Sequence, residues 1–229
     1  MSSVAVSRVA ILGVGKVGTA IARAALHAGH EVTIAGSGDP EPVRFITEIM
    51  APGVAVATAA EAVAGSELVV LSIPLPKLAS LDPEMLRGRI VIDAMNHWQP
   101  TDGALPELFA GVTSTSEAVA RHLEGARVVK ALNHIGYHEM ESDRREEGAA
   151  DRRALAAASD DREAAEAVAG FVSSLGFDVQ PVTPLAAGRA LEPGSEIFAG
   201  SFGAVDVAER LREATLALEP ASATAPTPV

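Results

Sequence analysis

The stretch ILGVGKVGTA, residues 11–20, places Gly13, Gly15 and Gly18 within six positions, directly after an apolar run. This G-x-G-x-x-G spacing is typical of the turn that joins the first strand to the first helix in dinucleotide-binding folds. There the first glycine makes the tight bend, the second lets a pyrophosphate approach the backbone, and the third lets helix and strand pack closely. The residues around the turn decide whether it binds a ligand or is a plain glycine-rich turn.

Short apolar runs along the chain alternate with segments of helical periodicity. The runs predict strands at residues 9–12, 31–35, 54–57, 68–73, 90–93 and 127–132, and the periodicity predicts helices at 17–28 and 43–50. Runs such as LVVLSI and IVIDA are apolar throughout, as expected for strands of a parallel sheet that is covered on both faces. We therefore predict an α/β fold, a Rossmann-type doubly wound parallel sheet, with the glycine turn as its dinucleotide site.

After about residue 150 the pattern is less regular. We assign residues 1–150 to the dinucleotide-binding domain and 151–218 to a small C-terminal portion, α/β to helical, that covers the cleft. Its predicted elements are a strand at 154–158, a helix at 162–175, a strand at 177–182 and helical segments over 184–217 with a break at Pro193 and Gly194. The charge-dense residues 141–153 are expected to form a solvated loop or helix edge. The composition of residues 219–229 predicts a disordered tail.

Charge and composition exclude several classes of partner. With 18 basic against 30 acidic residues, a net charge of −12 and no cysteine, we expect no nucleic-acid partner, no disulfide and no thiolate metal site. No run approaches the ~20 apolar residues of a membrane span, and the N-terminus is too short and polar for a signal peptide. The expected location is the cytoplasm.

The end of the second predicted strand bears on the choice between NAD and NADP. An NAD site usually has Asp or Glu there, which binds the ribose hydroxyls. Here the strand runs into Gly36-Ser37-Gly38-Asp39, and Ser37 offers a hydroxyl to a 2′-phosphate. Asp39, followed by proline, is interpreted as a turn residue, and Arg44 as an exposed charge. This pattern favours NADP.

Two further strand ends carry polar pairs. The fifth strand runs into Asn96-His97 and the sixth into Asn133-His134, and ligands in open α/β sheets bind outside such carboxyl ends. For each histidine, a surface or satisfied-core role is an open alternative. We expect no metal site from His134 with His138, because zinc needs three or four ligands and the intervening glycine makes helical spacing uncertain.

Several blocks of the chain, spread over about residues 10–215, resemble the F420-dependent NADP oxidoreductases (NADPH:coenzyme F420 reductases). They are residues 11–18, 29–34, 71–74, 128–133, 176–179 and 185–193. The last block, with the pattern L-x-x-G-R-x-L-E-P, is the most particular. The resemblance implies a Rossmann domain for NADP and direct hydride transfer between nicotinamide C4 and deazaflavin C5, so that no catalytic acid, base or nucleophile is expected. The protein then supplies alignment and exclusion of water.

The resemblance also implies roles for individual positions. The cofactor-binding residues would be Gly13, Val14, Gly15, Lys16, Val17 and Gly18 at the turn, Ser37 and Gly38 at the 2′-phosphate, Ser72, Ile73 and Pro74 at the middle of the cofactor, and Ala131 beside the nicotinamide. The second substrate would approach His97, Asn133 and His134. Family members often have Arg directly after the serine, where this chain has Gly38.

Other features leave alternatives open. The acceptor could be another small molecule, such as a flavin, a metal complex or an imine, or the chain could be an NADP-sensing module without turnover. Arg189 and Glu192 are predicted to form an ion pair, and Phe198 and Phe202 to lie in the core or at a dimer face. We expect a homodimer.

Overall fold

The computed structural model describes residues 6–218, so the predicted disordered tail at 219–229 lies outside the described residues. Its single sheet has eight strands in the order β3-β2-β1-β4-β5-β6-β7-β8. The strands are β1 (Arg8–Leu12), β2 (Glu31–Ala35), β3 (Ala55–Val56), β4 (Leu68–Leu71), β5 (Ile90–Asp93), β6 (Arg127–Lys130), β7 (Ala154–Ala158) and β8 (Asp178–Val182).

The helices lie between these strands and after them. The α-helices are α1 (Lys16–His27), α2 (Glu41–Met50), α3 (Ala59–Ala64), α4 (Pro83–Leu86), α5 (Gln99–Asp102), α6 (Thr115–His122), α7 (Glu139–Ser142), α8 (Arg162–Ser174), α9 (Glu196–Ala199) and α10 (Ala204–Leu216). Three 3-10 helices occupy Leu75–Ser80, Glu107–Phe109 and Leu185–Leu191. As predicted, Pro193 and Gly194 interrupt the last helical region.

The sheet topology confirms the predicted fold class. β1 to β6 are mutually parallel and follow the order 3-2-1-4-5-6 of a doubly wound dinucleotide-binding fold. β7 is antiparallel to β6 and parallel to β8, so the C-terminal residues extend the same sheet. The division of the chain at residue 150 stays a prediction, since both portions contribute strands to this sheet.

Apolar side chains on both faces of the sheet form the core. α1 and α8 pack on one face and α3, α4 and α6 on the other, while α10 covers β7 near its end of the sheet. Every residue of β1 after Arg8, and every residue of β4 and β7, is buried. This two-sided burial is why these strands are continuous apolar runs in the sequence.

The charge-dense stretch 141–153 differs from the prediction at its end. Arg152 and Arg153 are only 5% and 6% exposed. Arg153 Nη1 lies 2.7 Å from Glu139 Oε2 and 2.9 Å from Asp143 Oδ2. A buried charge requires such partners, and the acidic residues of the same region supply them, so this part of the predicted solvated loop is internal.

Within residues 6–218 we find no helix with the length and apolarity needed to traverse a bilayer.

Candidate active site

Two of the three glycines in the turn between β1 and α1 are required by packing. Gly13 has φ +128°, and a Cβ there would lie 2.4 Å from the Ser72 carbonyl oxygen. Its N–H group donates to the Ala35 carbonyl at 2.9 Å, which ties the turn to the end of β2. A Cβ on Gly18 would lie 2.0 Å from the Gly13 carbonyl oxygen. Both positions therefore exclude any side chain.

Gly15 differs, because open space surrounds it. A Cβ there would have no atom within 4 Å, and its φ of −76° is accessible to any residue. Gly15 is the N-cap of α1 and gives its first N–H groups no side-chain acceptor, whereas α3 and α6 both begin with a capping box. The first N–H groups of a helix lack intrahelical partners, and its N-terminus attracts anions. The residues present thus fit a pyrophosphate against Gly15.

The turn is flanked by the residues predicted to meet the rest of the cofactor. Ser72 directly follows β4, and its hydroxyl donates to the carbonyls of Leu12 and Gly13 at 3.3 Å each. Ile73 is half-buried and Pro74 is exposed. Ser72 therefore braces the glycine turn, while the next two residues border the same edge of the sheet.

The end of β2 offers an exposed hydroxyl, and the nearest carboxylate accepts a hydrogen bond within the following turn. Ser37 and Gly38 are both exposed. Asp39 Oδ1 accepts from the Glu41 N–H at 3.0 Å, as expected for the predicted turn residue, and Arg44 pairs with Glu41 at 2.9 Å. Gly38 has φ +83°, a conformation that residues other than glycine rarely adopt. This backbone accounts for glycine at this position.

Asn133 joins three segments at the carboxyl end of the sheet. Its Nδ2 donates to Asn96 Oδ1 at 3.0 Å and to the Leu191 carbonyl at 2.6 Å. Asn96 Nδ2 in turn donates to the Asn133 carbonyl at 2.7 Å. The ends of β5 and β6 are therefore tied to each other and to the late block of residues 185–193. Asn133 itself is only 4% exposed.

The backbone before Asn133 is unusual. Ala131, predicted beside the nicotinamide, is 1% exposed directly after β6. Leu132 has φ +60°, the one positive φ outside glycine among residues 6–218. Such values are uncommon for residues with a branched side chain and tend to occur at functional sites. The strained residue lies between the two predicted site residues.

His134 lies in the interior rather than in an open pocket. It is 2% exposed, and its Nε2 accepts from the Ala156 N–H at 3.0 Å. The proton of the neutral ring is therefore assigned to Nδ1, which donates to Asn133 Oδ1 at 3.1 Å. Burial, aided by nearby Arg153 and Lys130, lowers the pKa of His134 to about 3. This burial favours the satisfied-core alternative for His134, and its placement beside the second substrate stays a prediction.

His97 lies nearer the surface. Its ring is half-buried, with Nε2 2.9 Å from the Gly103 carbonyl oxygen. The adjacent Trp98 is 49% exposed and meets Phe198 of α9 edge to face at 5.6 Å. Phe202, by contrast, packs beneath Arg210, whose Cζ is 4.1 Å from the ring centre. Of the three residues predicted for the second substrate, only His97 is half-buried rather than buried, and the assignment of all three stays a prediction.

A buried ion pair beneath these residues escaped the sequence analysis. Lys130 and Asp93 are fully buried, with Nζ 3.3 Å from Oδ2. Lys130 also donates to the Met95 carbonyl at 2.6 Å, and the Ser116 hydroxyl donates to Asp93 at 2.5 Å. The two charges face each other in the β5–β6 register. Opposite charges that end two neighbouring apolar strands are the sequence signal that could have indicated this pair.

The late block packs directly against that pair. A Cβ on Gly188 would lie 3.2 Å from Lys130 Cβ, so glycine permits this approach. Glu192 Oε1 accepts from the Thr115 N–H at 2.6 Å, at the start of α6. The predicted pair of Arg189 and Glu192 is present, with Nη1 3.5 Å from Oε2.

Among residues 6–218, no group of three or more His, Asp or Glu side chains is arranged to hold a metal ion.

Comparisons with known proteins agree with the fold and with the resemblance that the sequence indicates. Residues 8–97 match the model of the family described as NADP oxidoreductase, coenzyme F420-dependent. A search of curated proteins finds no match. A structure from Arthrobacter sp. FB24, provisionally described as an F420-dependent NADP reductase, is 29% identical, with a TM-score of 0.65 over 91% of this chain and 94% of that one.

Two further structures share the fold. A hypothetical protein from Sinorhizobium meliloti is 26% identical, with a TM-score of 0.73 over 86% of this chain and 95% of that one. An imine reductase from Pseudomonas sp. is 19% identical, with a TM-score of 0.54 over 79% of this chain and 57% of that one, and shows the fold alone. The resemblance to the F420-dependent NADP oxidoreductases that the sequence indicates is confirmed, with residues 8–97 matching that family's model.

Proposed function

We propose that this chain is an NADP-dependent oxidoreductase and that coenzyme F420, a deazaflavin, is its second substrate. The observation that carries the proposal is the uncapped N-terminus of α1, which faces open space at Gly15. The family match over residues 8–97 supports the NADP part. The late block and the similar Arthrobacter protein, provisionally named for F420-dependent NADP reduction, support the F420 part.

In this proposal the exposed turn residues hold the cofactor by its phosphates. The N–H groups at the start of α1 bind the pyrophosphate, with the Lys16 ammonium nearby. The Ser37 hydroxyl and the Gly38 N–H face the 2′-phosphate. Ile73 and Pro74 line the cofactor's middle, and Ala131 the nicotinamide side. At the end of β2 the exposed Ser37 hydroxyl is available to a 2′-phosphate, while the Asp39 carboxylate accepts from the Glu41 N–H.

When bound, NADPH supplies the hydride that the acceptor takes up. The chain's own residues then need to align the two rings and exclude water. The buried polar groups nearby suit this role, because their hydrogen bonds are already used internally. His134 is neutral at physiological pH, with its lowered pKa, and Lys130 is held between Asp93 and the Met95 carbonyl. Accordingly, no residue is assigned as a catalytic acid, base or nucleophile.

An acceptor screen tests this proposal. The purified protein is mixed with NADPH or NADH, together with F420, a flavin, a cyclic imine, a ferric complex or no acceptor. We expect loss of the visible absorbance of oxidised F420, faster with NADPH than with NADH. No reaction of F420 under conditions where NADPH binds would contradict the F420 assignment. The Gly15→Val variant serves as a control without a pyrophosphate site.

Two alternatives are outcomes of the same screen. Consumption of NADPH with a flavin, metal complex or imine, but not with F420, would indicate a reductase of another small acceptor. Tight NADP binding with no turnover would indicate an NADP-sensing module.

We further propose a cytoplasmic location and a homodimer. Light scattering after size-exclusion chromatography tests the homodimer, which should have twice the mass of the 23.5 kDa chain.

A further inference from the structure

Tyr137, which no role above uses, lies beside the first residue of α1. The Lys16 ammonium is 5.3 Å from the centre of the Tyr137 ring, within the range of a cation–π contact. Lys16 is exposed, and among residues 6–218 it forms no ion pair with a carboxylate within 4.0 Å. The aromatic ring is therefore the contact that holds this ammonium at the open end of the glycine turn.

The segment that carries Tyr137 is fixed from the interior. Glu139 Oε2 accepts from the Gly136 N–H at 3.0 Å and from Arg153 Nη1 at 2.7 Å. Arg153 is buried and also donates to the Gly200 carbonyl at 3.0 Å. Tyr137 itself is half-buried and packs against the apolar cluster that includes α1. Glu139 and the buried Arg153 thus fix the segment that carries the ring, and the ring itself is held by its apolar packing.

We propose that Tyr137 is a positioning residue of the dinucleotide site, which places the Lys16 ammonium for contact with the cofactor's pyrophosphate. An exposed lysine side chain loses rotamer freedom when it binds a ligand, which weakens binding. A ring that already restricts this side chain reduces that loss. The inference rests on the proposed function, since it takes the turn at Gly15 as the pyrophosphate site.

The expected effect follows from the strength of an exposed cation–π contact. Replacing the ring by an aliphatic side chain, Tyr137→Leu, should raise the Kd for NADP about two- to fivefold. Tyr137→Phe keeps the ring and should bind NADP as the wild type does. Because the effect acts through Lys16, Tyr137→Leu should have no further effect in a Lys16→Met background.

Isothermal titration calorimetry with NADP tests the inference without any acceptor. The four proteins of the double-mutant cycle are the wild type, Tyr137→Leu, Lys16→Met and the double variant, and Tyr137→Phe is measured beside them. Thermal unfolding without ligand checks that each variant folds. Wild-type affinity in Tyr137→Leu, an equal loss in Tyr137→Phe, or an undiminished loss in the Lys16→Met background would each overturn the inference.

The outcome is separable from that of the proposed function. A wild-type protein that binds NADP but does not reduce F420 leaves this inference intact and contradicts only the F420 assignment. A wild-type protein that binds no NADP overturns both. Normal F420 reduction together with a flat mutant cycle overturns this inference alone.

Discussion

The three glycines of the turn should respond differently to substitution, because only one of them faces open space. Gly15→Val places a side chain where no atom lies within 4 Å, at a φ of −76°. Gly18→Ala places a methyl group 2.0 Å from the Gly13 carbonyl oxygen. We predict that the first change abolishes dinucleotide binding in a folded protein, and that the second destabilises the fold.

The magnitudes follow from these surroundings. At Gly15, loss of an N-cap glycine costs a few tenths to about 1 kcal/mol, and reduced backbone freedom in the unfolded chain offsets about 0.4–1 kcal/mol. The free energy of unfolding should therefore change by less than about 1 kcal/mol. At Gly18 the backbone must shift to relieve the contact, which costs about 1–3 kcal/mol or more. The Kd of Gly15→Val for NADPH should rise at least about tenfold, since the side chain fills the approach to the helix N-terminus.

Urea unfolding and NADPH fluorescence titration measure the two quantities on the same samples. Gly15→Ala serves as a smaller substitution at the same position and should give an intermediate Kd. An unchanged Kd in Gly15→Val, with wild-type stability, would refute the placement of the pyrophosphate. Equal stability losses at Gly15 and Gly18 would refute the assignment of packing to one and ligand approach to the other.

Three other changes test the rest of the site. Ser37→Ala should weaken NADP binding about tenfold and leave NAD binding unchanged, because it removes one hydrogen bond to a charged phosphate; equal Kd values for wild type and variant would place the 2′-phosphate elsewhere. Lys130→Met should lower the free energy of unfolding by about 3–5 kcal/mol, since it leaves the Asp93 carboxylate buried without its cation. Chemical unfolding should show that the double variant Lys130→Met, Asp93→Leu recovers part of this loss. The pKa of His134 is lowered to about 3 in the fold, against about 6.5 in the unfolded chain. Between these pH values the unfolded chain binds more protons, so the free energy of unfolding should fall by about 2 kcal/mol from pH 7 to pH 5. A His134→Gln variant whose stability depends as steeply on pH would contradict the assignment.

The parts of the fold that sequence could predict are those with a local signal. Strands β4 and β7, and β1 after Arg8, are buried on both faces, so each is a short continuous apolar run. The glycine turn combines such a run with the start of an amphipathic helix, and a Cβ on Gly18 would meet the Gly13 carbonyl within the turn itself. These local signals make the turn recognisable even though Gly13 also packs against Ser72, which is distant in sequence.

The residues that sequence did not resolve depend on the order of strands. Asn96, Asn133 and the Leu191 carbonyl meet only because β5 and β6 are neighbours and the late block folds over their ends. The buried state of His134 follows from β7, which supplies the Ala156 N–H at 3.0 Å. The high density of charged residues around Arg153 predicts that its side chain is exposed to solvent, whereas its ion pairs with Glu139 and Asp143 allow it to be buried. For Asn133 and His134 the decisive partners are distant in sequence, whereas the carboxylates that pair with Arg153 come from the same region of the chain.

Gly38 shows a further limit. The resemblance implies an arginine at this position, but the φ of +83° explains glycine there by backbone geometry. Gly38→Arg would carry backbone strain together with any gain at the 2′-phosphate, so a change at Ser37 is the cleaner test of cofactor preference.

Transfer of deuterium from NADPH labelled at nicotinamide C4 to coenzyme F420 tests the central claim most directly. The protein is incubated with each of the two stereoisomers of the labelled cofactor and oxidised F420 in ordinary water, and the reduced deazaflavin is examined by mass spectrometry. Direct transfer between aligned rings predicts that one stereoisomer delivers its deuterium to C5 without exchange. Absence of reduced F420, or reduced F420 that carries only solvent hydrogen from both stereoisomers, would contradict the account.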